Sequence, residues 1–273
     1  MDFKNIISST PNYNFHSHTQ FCDGHADMAV MAAAAVKCGM EHYGFSPHSP
    51  VPIPSPCNMS ADDVDNYLQE VARLKTLPEL SSCRFYAAME VDYLGTEWGP
   101  AHTYFKSLPL DYTIGSVHFI PTLEGDLIDI DGKFENFRQR MKHHFRNDIE
   151  YVVGTFYAQS HAMIEAGGFD ILGHFDKVGQ NASYFYPGIE DSEFYKGEVQ
   201  SLISLITEKS LTIELNTKAR KEHGRFFPGE RYLPQLKQAG ITILVNSDAH
   251  HPERICASRD EAFKLLDAEY AHA

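Results

Sequence analysis

Imidazoles and carboxylates recur along this 273-residue chain at the ends of apolar runs and in closely spaced pairs. His16 and His18 stand two residues apart in His-Ser-His, so on an extended backbone both rings leave from one face and can reach one ion. Asp248 and His250 repeat that spacing after the apolar run ITILVN. Glu90 follows YAAM, where burying a carboxylate without a cation would be costly. His118 and His174 each close an apolar run that contains a glycine, and His48 lies between Pro47 and Pro50, a rigid mount for a coordinating ring. Asp23 and His25, directly after the first histidine pair, can both turn back to a neighbouring ion, and their types leave open which one ligates. Such a mixture of imidazole and carboxylate suits zinc, iron or manganese rather than calcium, which takes oxygen ligands throughout.

Ligands so far apart in sequence need a scaffold that gathers them. Short β-like runs occur at 14–16, 42–46, 84–91, 112–117, 169–173, 211–215 and 240–246. Between several of them, segments 27–38, 61–75, 159–166, 194–209 and 232–239 carry helical periodicity. Alternating strands and helices predict a parallel sheet with helical crossovers, and a closed barrel collects the residues at its strand ends on one face. Ser60 reads as a helix N-cap, and Gly167, Gly168 and Gly240 as helix ends. The proline-rich stretch 47–56 reads as a rigid loop within a single domain. The polar segment 119–152 reads as an inserted loop and helix that cover one end of the fold.

Composition narrows the partners. A hydrophobic share of 43% with 22% charged residues is that of a globular chain with a sizeable core. The net charge of −14 argues against a broad nucleic-acid-binding surface, so an anionic substrate must meet a local cationic site. The five cysteines are scattered and form no Cys-x-x-Cys pair, and no apolar run is long enough to span a membrane, so the expected setting is the cytoplasm. An oligomer is compatible with all of this.

The motifs HSHTQFCDGH, GFSPHSP, AAMEVDY, IGSVHFI, FDILGHFDKV, IELNTKARK and NSDAHHPE stand in this order. On them the chain resembles the PHP (polymerase and histidinol phosphatase) family, and within it the monofunctional histidinol-phosphatases, over nearly its whole length. The resemblance implies an α/β fold, a distorted (β/α)7 barrel whose C-terminal face holds two or three divalent ions of zinc, iron or manganese. One ion would be held by His16, His18, Glu90 and Asp248, another by Glu90 with His118 and His174, and a third by Asp23, His48 and His250. The implied reaction is hydrolysis of L-histidinol phosphate to L-histidinol and phosphate, a step of histidine biosynthesis, by attack of a metal-bridging hydroxide. Nucleotides, oligonucleotides or another small phosphate ester are the alternative substrates.

Such a reaction also needs cations for the phosphoryl group and a proton for the leaving oxygen. Arg220, Lys218, Arg254 and Arg225 are the candidates for the first role, with Arg220 foremost; Asp248, His250 and His48 are those for the second. Tyr43, Phe45, Phe226, Phe227 and Tyr232 are available to flank a small heterocycle.

Overall fold

A computed structural model describes residues 1–267 of the chain. The strands are β1 (Tyr13–Asn14), β2 (His42–Phe45), β3 (Arg84–Asp92), β4 (Tyr112–Ser116), β5 (Phe119–Pro121), β6 (Leu127–Asp129), β7 (Ile171–Leu172), β8 (Thr212–Asn216) and β9 (Thr242–Asn246). Seven of them hydrogen-bond as a parallel sheet in the order β1-β2-β3-β4-β7-β8-β9, with helices in the crossovers, while β5 and β6 form a separate antiparallel hairpin. This is the expected α/β architecture, a nearly closed (β/α)7 barrel.

Side chains close the seam between β1 and β9, where no backbone ladder forms between the named strands. The Phe15 N–H donates to Asn246 Oδ1 (2.9 Å), the Ser247 N–H donates to Asn14 Oδ1 (3.1 Å), and Asn14 Nδ2 donates to Ser247 Oγ (2.6 Å). Beyond them the His18 N–H reaches the Ala249 carbonyl (2.9 Å). This substitution of amides for ladder bonds is the local distortion of the barrel.

Strand periodicity sorts the residues of β3 directly. Tyr86 and Ala88 join Phe15, Tyr112, Ile114, Ile171 and Leu244 in the barrel interior, whereas Phe85, Ala87, Met89 and Val91 pack outward against the helices. Phe3, on the N-terminal helix Phe3–Ser9, packs its ring against Phe15 (5.1 Å) and Tyr112 (5.6 Å). Tyr112 Oη donates across the interior to the Phe15 carbonyl (2.5 Å), and a Cβ on Gly44 would collide with that hydroxyl. Further along, the same inward alternation continues as Glu90 on β3 and Ser116 on β4. Apolar filling thus gives way to ligands toward the C-terminal strand ends.

Several boundaries differ from the sequence expectation. β1 ends at Asn14, so His16 lies on the connection that follows it, and β7 contains only Ile171 and Leu172 of the expected 169–173. The helix expected at 159–166 is the last part of Ile149–Ala166, which takes the end of segment 119–152 into the barrel's outer layer through Val152 and Val153. The rest of that segment is the β5–β6 hairpin and the helix Phe134–His144, whose Phe137 and Met141 are fully buried. Tyr43, Phe45 and Phe226 are also fully buried, so they serve the core rather than flank a ligand. Ser60 caps as expected, accepting the Asp62 N–H, and Gly167 ends its helix at φ 67°. All five cysteines are free thiols, and no helix among the described residues is long and apolar enough to cross a membrane.

Candidate metal centre

Glu90, set inward at the end of β3, is the hub. Its Oε2 lies 3.3 Å from His16 Nε2, 3.5 Å from His18 Nε2 and 3.0 Å from His48 Nδ1. Its Oε1 lies 2.9 Å from His174 Nε2 and 3.5 Å from His118 Nε2, and accepts the Ser116 hydroxyl at 2.7 Å. Asp248 Oδ1 is 3.1 Å from His18 Nε2, and Asp23 Oδ1 is 3.3 Å from His250 Nε2 and 3.8 Å from His48 Nε2. Three overlapping groups result, each with its ligand atoms within 4.8 Å of one another: His16, His18 and Asp248; His48, Glu90 and His118; and His18, Asp23, His48 and His250.

Every expected ligand position is therefore drawn to one rim. Between the alternatives left open by the sequence, the Asp23 carboxylate joins the cluster, whereas the His25 ring stacks on His251 with centroids 4.3 Å apart. Asp248 has a positive φ of 48°, an uncommon backbone for a residue other than glycine, and one that asparagine and aspartate tolerate best.

The donor set fits cations. Glu90, His16 and His18 are at most 1% exposed, and the buried atoms Asp23 Oδ1, His48 Nδ1 and His118 Nε2 make no hydrogen bond. Each of these orphan atoms faces other ligand atoms at short range without hydrogen-bond geometry. A shared positive centre satisfies such an arrangement, and mutual pairing does not.

Within the cluster the carboxylates favour protons on some rings, while burial and neighbouring rings oppose them on others. Burial opposes charge on His16, but Glu214, Glu90 and Asp248 outweigh it and raise its pKa well above the ordinary range. Burial likewise opposes charge on Glu90 and on Asp248. The former is held well below the carboxylate range by His16, His48 and His118, the latter by Lys218, His16 and His18. His18 is lowered by burial, with His250 and His48 adding to it.

Sequence reasoning missed the groups that orient these ligands. Glu214 is fully buried on β8, with Oε2 2.9 Å from His16 Nδ1, while its Oε1 accepts the His174 N–H at 3.1 Å. Asp92 Oδ1 lies 2.6 Å from His118 Nδ1. Both carboxylates turn the opposite ring nitrogen toward the cluster, the usual support of a metal-binding histidine. The signals were present: a charged residue inside the apolar IELN, and Asp92 two positions beyond Glu90 on the same strand face.

Of the cations expected near the mouth, Lys218 alone has cluster residues as partners, with Nζ 3.2 Å from Asp248 Oδ1 and 3.3 Å from His250 Nε2. Arg220, the foremost candidate, instead binds Glu261 (2.8 Å) and Glu230 (2.7 Å); Arg225 binds Glu190 (3.0 Å) and Arg254 binds Glu222 (2.8 Å). Nearby carboxylates have captured these guanidiniums. The structure supplies a different cation, Lys177, whose ammonium is 2.6 Å from Asp131 of the inserted segment. Burial disfavours its charge, but Asp131, Asp248 and Glu90 more than compensate and raise its pKa. Lys177 and Lys218 both line a cavity of about 520 Å³ that also contains Phe134, Tyr184 and Phe227.

Compared by sequence with curated proteins, the chain matches none. Among the solved structures that share its fold are two with the following likeness. The first is a provisionally assigned histidinol phosphatase HisK from Listeria monocytogenes, with a TM-score of 0.77 at 20% identity over 89% of this chain and 97% of that one. The second is the histidinol phosphate phosphatase HisK from Lactococcus lactis in complex with zinc, L-histidinol and phosphate, with a TM-score of 0.70 at 20% identity over 96% of this chain and 95% of that one. The family model of the PHP domain matches residues 14–218, which hold every candidate ligand except Asp248 and His250. By the extent of that match, this chain belongs to the PHP family.

Proposed function

We propose that this protein is a metal-dependent phosphomonoesterase that hydrolyses L-histidinol phosphate to L-histidinol and phosphate. The observation that carries the reading is the rim of buried imidazoles and carboxylates with three unpaired atoms, next to a lysine-lined cavity. The Lactococcus structure, with zinc, L-histidinol and phosphate bound, supports the choice of substrate.

His16, His18, Glu90 and Asp248 would hold one divalent ion, Glu90 with His118 and His174 a second, and Asp23, His48 and His250 a third, with zinc, iron or manganese as the metal. Such ions supply Lewis acidity toward the phosphoryl oxygens and a water activated near neutral pH. Glu214 and Asp92 hold the His16 and His118 rings in orientation. Lys218 donates to a phosphoryl oxygen from beside Asp248. Asp248 or His250, both beside the Lys218 ammonium at the rim, would deliver the proton to the leaving oxygen. His48 has a carboxylate near each ring nitrogen, at 3.0 and 3.8 Å, which suits it to ligation more than to proton delivery.

The test is phosphate release from L-histidinol phosphate and from AMP, before and after chelation, with elemental analysis of protein purified without added metal. Metal-dependent turnover that favours histidinol phosphate is expected. Faster cleavage of AMP would overturn the substrate, and undiminished turnover in fully stripped protein would overturn the mechanism.

A further inference from the structure

The cavity beside the cluster has a second kind of lining whose role the metal chemistry does not explain. Phe134, Tyr184 and His223 come from separate segments: the start of the helix Phe134–His144, the helix Val178–Phe185 and the short helix Arg220–His223. Their rings meet edge to face, Phe134 to Tyr184 at 5.6 Å and 62°, Tyr184 to His223 at 5.9 Å and 61°. Tyr184 Oη lies 2.9 Å from His223 Nδ1, which fixes the central ring, yet Tyr184 remains 47% exposed. An aromatic ring held in place and left open to water inside a cavity is a surface that a ligand can cover.

The same cavity is lined by Lys218, the lysine assigned to the phosphoryl group, and by Lys177. Lys218 touches Asp248, and Lys177 is fixed by Asp131. A phosphate ester anchored there places its organic part within the remaining space. Rings set edge to face accept a third flat ring by stacking or by its edge, and they gain less from a short polyol.

We infer that Phe134, Tyr184 and His223 form the specificity wall of the site and select phosphate monoesters whose leaving group carries a flat ring. The inference rests on the phosphatase reading and adds to it the residues that choose the substrate. It also gives the inserted segment a function: Asp131 orients Lys177 in the cavity lining, and Phe134 contributes to the wall.

Steady-state kinetics on L-histidinol phosphate and on glycerol phosphate, a ringless ester, test this in the metal-loaded wild type, Tyr184→Ala and Tyr184→Phe. Calorimetric binding of L-histidinol alone, to loaded and to stripped protein, gives a readout independent of turnover. Tyr184→Ala should raise the ratio of KM for the ring-bearing ester over the ringless one by about tenfold, and weaken L-histidinol binding by a similar factor. Tyr184→Phe, which keeps the ring, should keep the wild-type ratio. Equal rises in KM for both esters, or an unchanged ratio and affinity in Tyr184→Ala, would overturn the inference. A loaded wild type that hydrolyses neither ester overturns the phosphatase reading instead, and L-histidinol binding lost on removal of the Tyr184 ring would still uphold the wall.

Discussion

At the scale of single residues, the metal-free cluster is a set of traded protons. Burial works against charge on His118, but Asp92 and Glu90 outweigh it and push its pKa up to about 9. In stripped protein this attraction contributes stability that is fully present below about pH 6.5, the ordinary histidine value, and is lost as pH rises through about 9. A cation arriving at His118 must displace the proton. Metal affinity of stripped protein should therefore climb with pH and level off near the upper value, with proton release seen as a buffer-dependent enthalpy in calorimetry. Affinity independent of pH between 6 and 9 would show that His118 carries no such proton. Ligand removal is the harsher change: His118→Ala or Asp248→Ala should abolish turnover while circular dichroism stays that of the parent. Near-normal rates in either variant would refute the ligand assignment. The sequence made these ligands legible because each ends an apolar run or stands in a pair. Asp92, Glu214 and Lys177 were harder to read, since their partners His118, His16 and Asp131 lie on other segments and only the fold brings them together.

At the scale of elements, strand alternation decides which side chains reach the rim. Apolar runs located all seven barrel strands, and their ends located the ligands, because a parallel barrel strand is covered on both faces and reads as nearly continuous hydrophobicity. The length of β1 was not legible. Its edge toward β9 is joined through amide side chains, and no hydrophobic pattern encodes that. Nor was the fate of the guanidiniums: Arg220 was the foremost phosphoryl candidate, while Glu230 and Glu261 hold it from ten and forty-one residues away. The seam makes its own prediction. Asn14→Ala removes the acceptor of the buried Ser247 N–H and the donor to Ser247 Oγ, so it should cost about 2–4 kcal/mol of unfolding free energy. Chemical denaturation measures this directly. A loss below about 0.5 kcal/mol would mean that the seam is held by packing alone.

At the scale of the whole molecule, the cluster is a clamp on the barrel as well as a reaction centre. Its ligands enter from the connection after β1, from β3, and from the segments following β2, β4, β7 and β9, so ions bound there would together join parts of the chain as distant as His16 and Asp248. The unfolded chain cannot assemble that set, so metal bound only by the native state stabilises it by mass action, about 2.7 kcal/mol when free metal is a hundredfold above its dissociation constant. For a chain of this size, that corresponds to a rise of roughly 5–10 °C in Tm. Chelation should therefore lower the calorimetric Tm by about that much in one cooperative transition, and adding zinc or manganese back should restore it. His118→Ala should shrink the shift, because it disables one position while leaving the others. If Tm proved indifferent to chelation in protein shown by elemental analysis to have lost its metal, the rim would not bind cations tightly enough to organise the barrel, and the convergence around Glu90 would need another explanation.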